Sequence, residues 1–137
     1  MLTTQVSPKR QQSVSLQAEP TIERYFESFN VGNFAATAAL FASDGQLHPP
    51  FEDAVVGIDA ISQYLKVEAE GMQAYPQTAE TCATAEGNRR LTVRGRVKAL
   101  VFTVNTAWIF DLNDRDEIQS VQIKLLASLQ ELLGLRS

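Results

Sequence analysis

The sequence predicts a single α+β domain with helices first and an antiparallel sheet after them. Three observations predict it. Apolar residues recur at helical spacing in two stretches before residue 73, and from Leu91 onward they alternate with polar residues at period two. The chain of 137 residues, 45% hydrophobic and 20% charged, is large enough for one core and too short for two ordinary domains. A strongly curved sheet wrapping the helices makes a cone, and a cone encloses a pocket.

Residues 1–20, rich in Ser, Gln and Thr with two prolines, have no sustained period and read as a flexible arm ending at Pro20, either a linker remnant or a docking strand. The domain proper is then 21–137. In TIERYFESFN, Ile22, Tyr25, Phe26 and Phe29 fall on one helical face, with Thr21 or its neighbour as cap. Asn33 can cap a second helix carrying Phe34, Leu40 and Phe41, stopped by Ser43-Asp44-Gly45. The prolines of His48-Pro49-Pro50-Phe51 forbid a helix. After Gly57, Ile58, Ile61 and Leu65 start a third helix whose stripe runs on through Glu68 or Ala69 to Met72.

Strand patterns fill the rest. Residues 73–84 can supply one strand. In LTVRGRVKALV, Leu91, Val93, Val97, Ala99 and Val101 form an apolar face against Thr92, Arg94, Arg96 and Lys98. VNTAWIFDL, the turn Asn113-Asp114-Arg115-Asp116 and IQSVQIKLLAS, with Val121, Ile123 and Leu125 on one side, complete a meander. ASLQELLGL reads as a short closing helix.

Composition narrows the function. A net charge of −4 without a basic tail gives little support to broad electrostatic attraction to nucleic acid or to anionic lipid. The one cysteine, Cys82, suits a reducing compartment, though it could join two chains if oxidised. No apolar run approaches the ~20 residues of a membrane span, and no apolar leader segment stands at the start, so a cytoplasmic, soluble protein is expected. Phosphate-binding glycine loops, a nucleophile elbow and a C-x-x-C pair are missing, and one histidine with one cysteine makes no metal site. For acid–base catalysis the candidates are His48, Asp44 and Glu68, as in a small pocket isomerase or dehydratase. The inward faces of the long strands offer almost no ionisable group to support them, so no catalytic residue is assigned. The arginines of the sheet read as a solvated strand face.

What remains is an apolar pocket with two polar tips. Trp108, the only tryptophan, shares strand parity with Phe110 and Leu112, and Tyr25 lies on the stripe of Ile22 and Phe29. Spacing leaves two readings open: core aromatics bonded to main-chain carbonyls, or two donors entering one cavity. A ligand-free dimerisation module fits the first.

The runs YFESFNVGNF, LFASDGQLHPPFEDAVVG, TAWIFDLN and IKLLASLQELL resemble the C-terminal domain of the orange carotenoid protein family, and the whole chain resembles stand-alone homologues of that domain. The resemblance covers about residues 21–136. It implies a nuclear-transport-factor-2-like (NTF2-like) cone: three N-terminal helices packed in a curved antiparallel or mixed sheet, with a short C-terminal helix. It implies no enzyme activity but a non-covalently bound ketocarotenoid, canthaxanthin- or echinenone-like, with Tyr25 and Trp108 donating to the keto oxygen. Met72, Ile123 and Leu125 then line the tunnel, and Glu68 stands at its mouth, at the dimer interface. The implied protein is a carrier that takes up, shields and transfers carotenoid, with singlet-oxygen quenching by the bound polyene. Its implied partners are a second copy sharing the pigment, helical carotenoid proteins, and, transiently, carotenoid-containing membranes. Two departures stand out: KALVFTVNTAW is shorter than the family hairpin and lacks its extra tryptophan and glycines, and Lys124 replaces an acidic residue.

Overall fold

The computed structural model describes residues 12–84 and 87–126. Three helices, α1 (Pro20–Asn30), α2 (Phe34–Ala38) and α3 (Ile58–Glu68), lie with seven strands: β1 (Gln12–Val14), β2 (Phe41–His48), β3 (Val55–Val56), β4 (Gln73–Ala83), β5 (Arg89–Ala99), β6 (Phe102–Leu112) and β7 (Ile118–Leu126). The strands form one sheet in the order β1-β4-β5-β6-β7-β2-β3. Pairing is antiparallel except between β2 and β7, which run parallel, so the sheet is mixed.

The first helix follows the predicted stripe. Ile22, Tyr25, Phe26 and Phe29 are all buried, and Pro20 starts the helix where its missing N–H is harmless. Thr21 is not the cap. Its hydroxyl donates instead to the Asp116 carbonyl at 2.8 Å, pinning the start of α1 to the β6–β7 turn. At the other end the Asn30 side chain accepts from the Ala74 N–H at 2.7 Å and donates to the Ala74 carbonyl at 2.9 Å, a strand-like pair made by an amide side chain. Held at both ends, α1 lays its aromatic stripe along the inner face of the sheet.

Several expectations need correction. The arm is structured over its second half: Gln12–Val14 pairs with β4 as an edge strand, and Leu16–Ala18 forms a 3-10 turn. The second helix stops at Ala38, and Phe41 opens a strand rather than closing a helix. The reason is tertiary, because β2 bonds to β7, with Leu47 opposite Val121. Val55–Val56, which the sequence reading left unassigned, is a short strand on β2. Val101 belongs to a turn and is 86% exposed, because β5 ends at Ala99. The expected closing helix falls outside the described residues.

Glycine is required at one crossing of the sheet. A Cβ on Gly95 would meet the Tyr75 carbonyl oxygen at 2.1 Å, beside the irregularity between Pro76 and Thr78 on β4. Gly95→Ala is therefore expected to push β4 and β5 apart and destabilise the fold by about 1–3 kcal/mol, read as a lower urea midpoint. An unchanged midpoint would mean that the bulge yields freely.

Candidate ligand-binding site

Trp108 sits in the middle of β6, facing Val93 on β5 and Ile123 on β7 across the ladder. All three share the inner face that α1 covers. The indole is buried and meets the edge of Phe26 with ring centroids 4.9 Å apart. Phe26 in turn meets Tyr25 edge-on at 5.2 Å, and Tyr25 packs on Phe110 at 5.0 Å. The structure thus brings both predicted donors into one aromatic cluster, joined through Phe26.

The Tyr25 hydroxyl carries the chemical interest. The residue is only 1% exposed, and its oxygen is the one buried side-chain polar atom without a hydrogen-bond partner among the described residues. Burial pushes the phenol well above its ordinary pKa, so the group remains a neutral donor. An unmade hydrogen bond of this kind costs about 1–3 kcal/mol. An acceptor delivered into the core would relieve that cost. The indole of Trp108 is a second donor and, unlike the phenol, has no acceptor capacity.

Among the described residues, the rings of Tyr25, Phe26, Phe29, Phe41, Trp108 and Phe110 belong to one buried cluster between α1 and the sheet. Two clefts, of about 610 and 430 Å³, lie elsewhere and neither is lined by Tyr25 or Trp108. The larger surrounds Arg89, whose charge is kept by bonds to Glu19 and Asp116 that outweigh the burial pulling its pKa down.

The remaining predicted residues spread outward from Trp108. Ile123 is half-buried against the core. Leu125, two residues further along β7 and opposite Thr106, is 46% exposed. Met72 is half-buried between α3 and β4 and packs on the core. Glu68 ends α3, exposed. Burial thus falls from Trp108 through Ile123 to Leu125 along one face. Sequence reading gave Phe26 no role in the site beyond the helical stripe; its position next to Tyr25 was the available signal.

The acid–base candidates lie apart from this cluster. Asp44 is exposed and accepts from the Gln119 amide at 3.0 Å, and His48 is half-buried at the end of β2. Among the described residues no three His, Cys, Asp or Glu side chains gather as a metal site, and no helix is long and apolar enough to cross a membrane.

The pattern of the SnoaL-like domain matches residues 22–119. The chain belongs to the SnoaL-like domain family. Within it, the chain is 33% identical over 119 residues to the orange carotenoid-binding protein of Limnospira maxima, covering 84% of this chain and 38% of that protein. The solved orange carotenoid protein of Anabaena (Nostoc) sp., which binds canthaxanthin, matches with a TM-score of 0.75 at 33% identity, over 83% of this chain and 38% of the other. For the OCP1 of Fremyella diplosiphon the TM-score is 0.78 at 30% identity, over 93% and 40%. This SnoaL-like chain therefore spans about two-fifths of the length of those relatives (38–40%), consistent with a homologue of their C-terminal domain. It shares their α+β NTF2-like fold, three helices with a curved mixed sheet.

Proposed function

We propose that this protein binds a ketocarotenoid, holding one end of it between α1 and the sheet with the Tyr25 hydroxyl and the Trp108 indole directed at the terminal keto oxygen. The observation that carries the reading is the buried Tyr25 hydroxyl with no partner. A ketocarotenoid is a long apolar polyene whose strong polar handles are its end carbonyls. Burial of its chain supplies affinity at roughly 25 cal/mol per Å², and the two donors fix its orientation. Neither donor needs to ionise, in keeping with the raised pKa of Tyr25.

In this reading Phe26, packed between Tyr25 and Trp108, swings out from between its two neighbours on uptake. Ile123, Leu125 and Met72 then flank the polyene on its way out, with Glu68 at the mouth. A single copy leaves the far half of the polyene in water, and a second copy across a two-fold axis covers it. The bound polyene supplies singlet-oxygen quenching. Transfer to helical carotenoid proteins follows from the same need, because they offer the other half of the tunnel. The filled aromatic core favours one alternative, a dimerisation module without ligand.

Co-expression with a ketocarotenoid pathway separates the two readings. A coloured protein whose absorption lies at longer wavelength than the free pigment is expected. A colourless protein that also gains no visible absorbance on incubation with pigment-bearing membranes would leave the ligand-free module.

A further inference from the structure

The β5–β6 hairpin carries three consecutive apolar side chains that neither the core nor turn chemistry explains. Leu100, Val101 and Phe102 are 87%, 86% and 67% exposed at its tip. The turn is two residues long, with Ala99 facing Phe102, and Leu100 takes the left-handed φ of 57° that glycine or asparagine adopts at least cost. Cations lie on the outer face behind this tip, Lys98 nearest to it and Lys124 farthest, level with Arg94. Arg96 and Lys98 alternate outward along β5, and Lys124 shares their face through the Arg94–Ala107–Lys124 row. Among the described residues, salt bridges hold Arg89, Arg90 and Arg94, while none holds Arg96, Lys98 or Lys124.

We propose that the β5–β6 hairpin docks the protein on an anionic lipid bilayer, Leu100, Val101 and Phe102 entering the boundary between headgroups and acyl chains while Arg96, Lys98 and Lys124 face the lipid phosphates. The chain as a whole is acidic, at −4, so attraction must come from this local face rather than from net charge. Apolar tip and flanking cations together are the combination that interfacial binding uses. The inner face of the same hairpin leads on, through the Val97–Val104 pair and Thr106 opposite Gly95, to Trp108. Docking here sets the Leu125 end of the candidate site against the acyl region, where an apolar cargo would reside. The inference extends the carotenoid reading by naming the surface that delivers the ligand, and rests on that reading only for the nature of the cargo.

The test uses the full, pigment-free chain in flotation with phosphatidylglycerol–phosphatidylcholine vesicles and with pure phosphatidylcholine vesicles. Binding to the anionic vesicles is expected to exceed that to the neutral ones by about ten-fold and to weaken with salt. Leu100→Gly with Val101→Asn puts glycine at the left-handed position, so the fold is kept, and should lower anionic binding by about ten-fold. Arg96→Gln, Lys98→Gln and Lys124→Gln together should bring anionic binding down to the neutral level. A wild-type chain that floats with neither vesicle, or equally with both, overturns the proposal. So does a tip variant that floats as the wild type does. If the tip variant instead turns a dimer into a monomer while wild type ignores vesicles, the tip joins two copies and the proposal falls. The vesicles hold no pigment, so these outcomes stand apart from the colour of the co-expressed protein.

Discussion

Tyr25→Phe is expected to stabilise the pigment-free protein and, at the same time, to weaken its hold on a ketocarotenoid. Both effects come from one oxygen atom. Among the described residues that atom is buried without a partner, so its removal relieves a desolvation cost of about 1–3 kcal/mol. Phenylalanine keeps the ring and its contacts with Phe26, Phe29 and Phe110, so little packing is lost in exchange. Thermal denaturation of the pigment-free chain should show a rise of a few degrees, on the order expected for this chain length. With pigment bound the sign reverses, since the keto oxygen loses one of two donors, and affinity should fall about ten- to hundred-fold for the same energy. The absorption maximum should shift to shorter wavelength. Trp108→Phe added to Tyr25→Phe should extend the shift or abolish binding. A Tyr25→Phe protein that is less stable and takes up pigment unchanged would show that the hydroxyl is already satisfied within the fold.

Phe26→Ala is expected to have the largest effect on stability. The ring is 5% exposed and wedged between Tyr25 and Trp108. Removing it loses transfer free energy and leaves a cavity, together about 3–5 kcal/mol. That cavity is also the space a terminal ring of the ligand would occupy. Pigment uptake by Phe26→Ala should accordingly be faster than by wild type, and bound pigment should restore part of the lost stability through mass action. Phe26→Leu provides a milder variant in case the alanine form is too unstable to purify; its uptake should lie between the two. Equal uptake rates for wild type and Phe26→Leu, measured on folded protein, would remove Phe26 as the barrier.

Where local pattern and tertiary context agreed, the sequence was readable. The spacing of Ile22, Tyr25, Phe26 and Phe29 gave α1, and the alternation around Leu91 and Val93 gave β5 with its inner face, because both elements are amphipathic against one core. Spacing placed Tyr25 and Trp108 on inward faces but left their pairing open; only the family resemblance implied it. Phe41–His48 was not. Its strand exists because Leu47 and His48 bond to Val121 and Gln122 far along the chain, and no local period encodes that pairing. Gln12–Val14 is likewise a strand only because β4 has an unpaired edge to receive it. The two-residue turn at Leu100 and Val101 escaped notice because its residues are apolar, against the chemistry such turns normally use.

The parallel junction of β2 with β7 also sets the order in which the molecule can assemble. Asp44 and Gln119, bonded across it, are 75 residues apart. The three consecutive hairpins of the sheet can close from near neighbours, whereas β2 must wait, unpaired on that side, until β7 has emerged from the ribosome. During synthesis, therefore, the helical half is expected to linger with an unsatisfied strand edge and an uncovered aromatic stripe. That interval is when a nascent chain of this kind has most need of a chaperone.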